Sequence, residues 1–245
     1  MEEEFIKYTN NYLDLGYKVE LKVNHTFRVK KLCKKLASSL NFNDDDILLA
    51  EVCGLLHDIG RFEQIKMFDS FSDRNIDHGD LGIEILKNDN FIHKFNSNRD
   101  DDNLILNTVK YHNKFMIDEN LSDREKTFCN IVRDADKIDI LFIEINDMLE
   151  ISEIDDSFSP KVMESLINHE LVLKSDIKTK ADHLAINLGY IFDINFKYSI
   201  NYLKENDYFN KLIDRYLSIS LNDGFKDQLE KIRLVINKYM EDLIC

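Results

Sequence analysis

Apolar side chains recur along most of this chain at the three- and four-residue spacing of amphipathic helices. The strongest stripe lies within residues 19–40 and is formed by Leu21, Val29, Leu32, Leu36 and Leu40. Further helices are predicted over residues 2–15, from 44 to about 55, from 77 to about 86, from a polar turn at 96–102 to about 112, and from 123 to about 148. The pattern therefore predicts a chain built mostly of helices.

Capping signals mark several helix starts. Ser122 and Glu125 have the spacing of a capping box, and Pro160 after Ser159 has the arrangement of a first helical residue after its cap. These signals predict one helix that begins at residue 123 and another that begins at residue 160.

The predicted third helix contains a short apolar run. Asn43 or Asp44 is placed to cap it, and Gly60 is expected to end it. Residues 61–76 are rich in polar side chains and are expected to be irregular, up to a new cap at Asp77.

Composition supports the helical prediction. The 245 residues include only seven glycines and one proline, whereas sandwiches, barrels and glycine-rich nucleotide folds need tight turns at short intervals. No linker or repeat interrupts the pattern. We therefore expect an all-α protein with a single domain over residues 1–245.

The net charge limits the classes of partner that are expected. The formal net charge is −14, and a nucleic-acid polymer is not expected as a partner, because binding one requires a clustered Lys/Arg surface. No apolar run approaches the length of about 18 residues that a membrane span needs. The chain starts Met1-Glu2-Glu3-Glu4, without a positive leader region. A cytoplasmic location without membrane association is expected.

The four cysteines have no paired spacing. They are Cys33, Cys53, Cys129 and Cys245. Reduced thiols in the core are the expected state.

Polar residues interrupt the apolar pattern at a few positions where a core is expected. His25 lies on the apolar stripe of its helix, His57-Asp58 ends an apolar helix, and Asp136 lies between Val132 and Ile140. Buried carboxylates are costly unless they are paired or bind a metal. Imidazole and carboxylate donors together suit a divalent transition metal. Asp134 shares the same helical periodicity, so spacing leaves it as an alternative to Asp136.

These residues, in this order, resemble the HD-domain superfamily of metal-dependent phosphohydrolases. The text around His25 looks like the first-histidine helix of that family, Leu55 to Phe62 looks like its signature turn, and Ala135-Asp136-Lys137 looks like its final aspartate helix. The resemblance covers about residues 20–145 and implies an HD-domain helical bundle with additional C-terminal helices over about 150–245. It also favours Asp136 over Asp134.

Two more histidines extend the resemblance. His78 and His112 each lie at one end of a predicted helix, and the order of ligands is then similar to the HD-domain branch that holds two metals. By that resemblance one ion would be held by His25, His57, Asp58 and Asp136, and a second by Asp58, His78 and His112. A single-metal site is the alternative. His93, His169 and His183 have no counterpart and are interpreted as structural.

The resemblance implies metal-dependent hydrolysis of a phosphoester of a small molecule, with nucleotides among the candidates, by metal-activated hydroxide. One or two divalent ions are expected, with Mn, Fe, Ni, Co, Zn and Mg all open. A phosphate also needs cationic partners. Asp58, Arg61 and Lys137 are the predicted catalytic residues, and Arg28, Arg61, Lys110, Lys114 and Lys137 are the predicted substrate-binding residues.

Two features qualify the function. His112 is followed by Asn113-Lys114-Phe115 without the Gly-Tyr-Pro tripeptide of the branch that cleaves cyclic dinucleotides, so that substrate is not assigned. Gln64, Asp69 and Asp73 either shape the mouth of the pocket or belong to a solvated acidic loop.

A di-iron oxygenase and a non-catalytic metal- or ligand-binding regulatory protein are the alternatives to the phosphohydrolase. The sequence leaves the substrate, the metal and the oligomeric state open.

Overall fold

The computed structural model describes residues 1–146, 148 and 152–244, apart from the side chain of residue 244. The described residues are mostly helical, and one isolated β-bridge joins Ile154 and Ser220. The prediction of an all-α fold is confirmed.

Twelve α-helices occur in the described part of the chain. They are α1 (Glu2–Thr9), α2 (Tyr17–Ser39), α3 (Asp44–Leu56), α4 (Ile59–Phe68), α5 (His78–Lys87), α6 (Asp102–Tyr111), α7 (Asp123–Ile145), α8 (Pro160–Ile167), α9 (Lys180–Gly189), α10 (Lys197–Glu205), α11 (Tyr208–Ser218) and α12 (Asp223–Ile244). Short 3₁₀ helices cover Asn10–Leu15, Asn88–Lys94, Arg99–Asp101, Lys174–Asp176 and Tyr190–Asp193. The seventh helix was expected to reach about Met148, and its described part ends at Ile145.

The chain divides into two compact units, Met1–Asp136 and Lys137–Cys245. In the first unit α2 packs along α3, α4 packs along α5, and α5 packs against α6. Its core includes the fully buried rings of Phe5, Phe62 and Phe128. In the second unit α12 packs against α8, α10 and α11, around the buried rings of Phe209, Tyr216 and Phe225. That the two units make one domain stays a prediction.

Most of the predicted capping residues lie at helix starts. The Asn43 side chain accepts a hydrogen bond from the backbone N–H of Asp46 at the start of α3. At the start of α7, Ser122 and Glu125 exchange backbone-to-side-chain hydrogen bonds of 2.9 and 3.3 Å. Pro160 is the first residue of α8, although the Ser159 hydroxyl makes no capping bond.

The segment after α3 differs from the prediction. The α3 helix ends at Leu56, and α4 already begins at Ile59, so Gly60 lies inside α4 and does not end α3. Ile59, Phe62 and Ile65 recur at helical spacing and are buried, which stabilises this helix. The irregular segment therefore covers residues 69–77 and is called the 69–77 loop below.

Gly60 has a packing role. A β-carbon there would lie 2.5 Å from the backbone nitrogen of Gly82 and closer still to the carbonyl oxygen of His78. Glycine thus permits the close approach of α4 to α5, which brings His78 beside the turn that carries Asp58.

The structure also bears on the cysteines and on membrane-spanning helices. Cys33, Cys53 and Cys129 are buried free thiols, as predicted, and Cys245 lies outside the described residues. None of the described helices has the length and apolar character that crossing a membrane requires.

Candidate metal centre

The six predicted metal ligands lie together in the first unit. They come from different helices: His25 from α2, His57 and Asp58 from the turn between α3 and α4, His78 from the start of α5, His112 from the residue after α6, and Asp136 from α7. Five of the six residues are buried, and the side chain of Asp136 is 15% exposed.

The ligand atoms form two groups of three. In the first group, His25 Nε2 lies 3.2 Å from His57 Nε2 and 3.1 Å from Asp136 Oδ1. In the second group, His78 Nε2 lies 2.9 Å from His112 Nε2 and 3.2 Å from Asp58 Oδ1. Within each group all three atoms lie within 4.8 Å of one another, so either group could hold a metal ion.

Asp58 faces both groups with different oxygens. Its Oδ2 lies 3.5 Å from His25 Nε2 and 3.6 Å from His57 Nε2. Its Oδ1 lies within 3.5 Å of the Nε2 atoms of His78 and His112. The carboxylate therefore spans the two groups, and its role as a bridging ligand stays a prediction.

Backbone carbonyls orient two of the rings. His57 Nδ1 lies 2.8 Å from the carbonyl oxygen of Gly54, and His112 Nδ1 lies 2.7 Å from that of Val109. Because a carbonyl oxygen can only accept, each Nδ1 carries the hydrogen in these bonds. Both Nε2 atoms then point into the site, which is how metal-binding histidines are held.

Burial and charge set the pKa values of the cluster. Burial disfavours the charge of Asp58, but the Lys22 ammonium and the neighbouring imidazoles outweigh it and hold the pKa of Asp58 well below its ordinary value. Burial likewise opposes the charge of Asp136, whose pKa is nevertheless held well below its ordinary value by His25 and His57. Burial lowers the pKa of His112 to about 4. Two carboxylates and at least one neutral imidazole are thus present near neutral pH.

The pKa of His57 shifts in the opposite direction to that of His112. Burial disfavours its charged form, but Asp58 and Asp136 outweigh burial and raise its pKa above the ordinary value of 6.5. A metal ion at the first group would therefore have to displace a proton from His57 over part of the neutral range.

Lys22 was not predicted as a site residue. Its Nζ lies 2.6 Å from Asp58 Oδ2, and its side chain is only 13% exposed. The ammonium also lies 5.7 Å from the centre of the Phe71 ring. Lys22 precedes His25 by three residues in α2, so helical spacing could have placed both on one face.

Arg61, which was predicted at the site, lies beside the second group. Its Nη2 is 3.0 Å from His78 Nε2, and its Nε is 3.8 Å from Asp58 Oδ1. That buried Nε has no hydrogen-bond partner among the described residues. The other guanidinium nitrogen bonds to the side chain of Gln64 and to the carbonyl oxygen of Phe71, at 2.8 Å for the latter. The guanidinium thus presents positive charge to the site.

The 69–77 loop supplies a carboxylate that contacts one of the predicted metal ligands. Asp73 Oδ1 lies 2.6 Å from His78 Nδ1, and the fully buried Gln64 donates to the same oxygen at 2.9 Å. Asp69, by contrast, lies at the surface and pairs with Lys18. The sequence pattern places Gln64, Asp69 and Asp73 together at the pocket mouth and does not distinguish them.

Three of the other four predicted substrate cations contact side chains that are not among the predicted metal ligands. Lys137 Nζ lies 2.7 Å from Asp193 Oδ2 within the second unit. Lys114 pairs with Asp77 at 2.7 Å and with Asp80 at 2.9 Å, and Lys110 lies over the ring of Tyr111. Arg28 is half-buried on α2. Their binding of a phosphate stays a prediction.

Asp134 and the three histidines that were interpreted as structural have other surroundings. Asp134 is fully buried, and the carboxylate that meets His25 and His57 belongs to Asp136. His93 bonds to Asp102 at 2.8 Å. In the second unit, His169 stacks on Phe192, and His183 is exposed.

The donor set fits divalent transition ions. Two donors bound to one ion at about 2.1 Å lie at most about 4.2 Å apart. The separations within the two groups, 2.9 to 3.6 Å, satisfy that limit. His112 holds its ring hydrogen on Nδ1, so its Nε2 lone pair points at His78 Nε2 from 2.9 Å. A cation between them would be stabilised by both rings.

In this all-α unit, buried imidazoles and carboxylates from several helices converge and offer donors for a metal ion. Residues 23–141 match the family model described as the HD domain. Over these residues the chain carries an HD domain, and the two His/Asp groups within it could hold metal ions. The search of curated proteins and the search of solved structures found no match.

Proposed function

We propose that this protein is a metal-dependent phosphohydrolase that uses two divalent ions to hydrolyse a phosphoester of a small molecule. The observation that carries the proposal is the Asp58 carboxylate, which has one oxygen facing His25 and His57 and the other facing His78 and His112. A carboxylate that belongs to one group of donors and also faces the other suits two-metal hydrolysis, in which the two ions lie about 3.5–4 Å apart.

Divalent ions at this site would supply a nucleophilic water at neutral pH and would compensate charge on the phosphoryl oxygens. In this proposal His25, His57 and Asp136 hold one ion, His78 and His112 hold the other, and Asp58 joins them. The Nδ1 hydrogen bonds of His57 and His112 keep both rings oriented before substrate arrives.

Two cations support a phosphoester as the substrate class. Arg61 and Lys22 lie against opposite oxygens of Asp58, at 3.8 and 2.6 Å. In this proposal their positive charges orient the anionic substrate at the site. Arg61 is a predicted catalytic cation and lies beside the ligand cluster. A role for Lys137 stays a prediction.

The test is a screen of phosphomonoesters and phosphodiesters with protein loaded with Mn²⁺, Ni²⁺ or Co²⁺, together with the metal content per chain. We expect turnover and two ions in the wild type. Asp58→Asn should lose turnover and bind metal far more weakly, while Asp14→Asn, at an exposed position of the same unit, should match the wild type. Metal-loaded protein that hydrolyses none of these esters would contradict the proposal, as would full activity of Asp58→Asn. Oxygen uptake by the iron-loaded protein would favour the oxygenase instead.

A further inference from the structure

One carboxylate oxygen of Asp73 lies within hydrogen-bond distance of three nitrogen atoms. Asp73 Oδ1 lies 2.6 Å from His78 Nδ1, 2.9 Å from Gln64 Nε2 and 3.3 Å from Arg61 Nη1. Gln64 is fully buried and Arg61 nearly so. Asp73 is therefore held by two side chains of α4 while it contacts the ring of His78.

The position of His78 explains why it needs this partner. His57 and His112 each follow the last residue of a helix, where carbonyl oxygens three residues earlier are free to accept from Nδ1. His78 is the first residue of α5, and the free backbone groups at a helix start are N–H donors. No carbonyl at the start of its own helix is placed to orient its ring, and the acceptor that its Nδ1 meets is the side chain of Asp73.

We propose that Asp73 is a positioning residue for the second group of ligands, and that it holds the His78 ring with its hydrogen on Nδ1 and its lone pair on Nε2. The proposal rests on the proposed function only in assigning an ion to that group. A carboxylate behind a histidine ligand also increases the basicity of the coordinating nitrogen. Asp73 thus complements His78 in both geometry and charge.

The 69–77 loop is built to hold this carboxylate. Gln64 Nε2 also lies 3.2 Å from the carbonyl oxygen of Ser72 and 2.9 Å from that of Ile76, and Arg61 Nη1 lies 2.8 Å from that of Phe71. Backbone on both sides of Asp73 is therefore anchored to buried side chains of α4. Such support is what keeps a ligand-orienting group in place.

The experiment compares Asp73→Ala and Asp73→Asn with the wild type and with Asp69→Ala, a control in the same loop whose carboxylate pairs with Lys18 at the surface. Stepwise Mn²⁺ affinities are measured by calorimetry with chelator competition. The tautomer of His78 in the metal-free protein is read from its ring ¹⁵N chemical shifts, assigned with a His78→Gln variant.

We expect Asp73→Ala to weaken the second ion by about 10- to 100-fold, to leave the first ion within about twofold, and to lose the Nδ1–H tautomer of His78. An amide oxygen can accept from the same donors without the negative charge, so Asp73→Asn should keep the tautomer and weaken the second ion less. Asp69→Ala should match the wild type. An unchanged first ion also shows that the variants are folded.

Wild-type affinity for the second ion in Asp73→Ala would overturn the proposal, and so would equal loss of both ions in Asp73→Asn. If the wild type binds a single ion, the two-metal function fails, and the tautomer then decides the role of Asp73. Loss of the Nδ1–H tautomer in Asp73→Ala supports the role, and an unchanged tautomer refutes it.

Discussion

The ammonium of Lys22 lies 2.6 Å from Oδ2 of Asp58, the same carboxylate oxygen that faces His25 and His57. This cation neutralises a buried carboxylate that is otherwise costly. A divalent ion in the first group would meet the same oxygen. Lys22 and the ion therefore compete for Asp58.

Replacing Lys22 by Met is expected to tighten metal binding, because it removes a positive charge next to the site and keeps an unbranched apolar side chain. We expect the dissociation constant of the first ion to fall by about tenfold, or about 1.4 kcal/mol. Chelator competition with Mn²⁺ measures it. Lys18→Met, one helical turn earlier and paired with exposed Asp69, should change little. Weaker binding in Lys22→Met would contradict the competition.

Metal affinity should depend on pH through His57. Its pKa is raised above the ordinary value of 6.5 by Asp58 and Asp136 against the opposing effect of burial, so the ring holds its proton to a higher pH than an unperturbed histidine. Affinity for the first ion should therefore fall as the pH falls through that raised pKa, by about tenfold per pH unit when one proton is displaced. Calorimetry at pH 6, 7 and 8 in two buffers of different ionisation enthalpy measures affinity and proton release together. A pH-independent affinity without proton release would refute this expectation.

Gly60→Ala is expected to destabilise the first unit by about 2 kcal/mol, because the added carbon would collide with the backbone of α5. Since that backbone carries His78, metal affinity should fall as well. Urea unfolding followed by circular dichroism measures the loss. Gly189→Ala is the matched control, since an added carbon there meets no atom closer than 3.7 Å. Equal stability of the two variants would rule out the close approach as the reason for glycine.

Asp182 should stabilise the second unit. Its carboxylate accepts backbone N–H groups of Ser159, Lys178 and Thr179 at 2.8 to 3.0 Å. An amide at this position would face at least one of these donors with its own N–H₂ group. Asp182→Asn should therefore lower stability by about 1–3 kcal/mol. Urea unfolding measures it, with Asp227→Asn at an exposed position of α12 as the control.

The stability of the second unit should also depend on pH through Asp182. Burial opposes the charge of Asp182, but the three N–H donors outweigh burial and hold its pKa below the ordinary value of 3.8. Its stabilising effect should be complete above pH 3.8 and should disappear as the pH falls through the lowered pKa. The difference between wild type and Asp182→Asn should therefore shrink below pH 3.8. A constant difference down to pH 2 would show that ionisation is not the cause.

Local signals predicted much of the first unit. The stripe in α2, the cap at Asp77 and the capping box at Ser122 each act within a few residues, so sequence spacing reports them directly. The prediction failed at Gly60, where a helix-ending role was inferred from a local preference. The requirement there comes from α5, about twenty residues further on.

The sequence likewise predicted some residues of the candidate site and left others undecided. Periodicity alone left Asp134 and Asp136 equivalent, and it could not separate Asp73 from Asp69. The structure distinguishes them, since Asp136 meets His25 and His57, and Asp73 meets His78. Lys22 was missed because a lysine on a helix is usually solvated, and only its approach to Asp58 reveals another role.

The sequence by itself determined that this protein is helical and that His25, His57-Asp58, His78, His112 and Asp136 follow one another in the order of an HD domain. Tertiary structure decided which oxygen of Asp58 faces which histidine, and which acceptor orients each ring. The reason is physical. Helical periodicity is set by neighbours three and four residues apart, whereas ligand geometry depends on how closely separate helices pack, and a single β-carbon between α4 and α5 would change it.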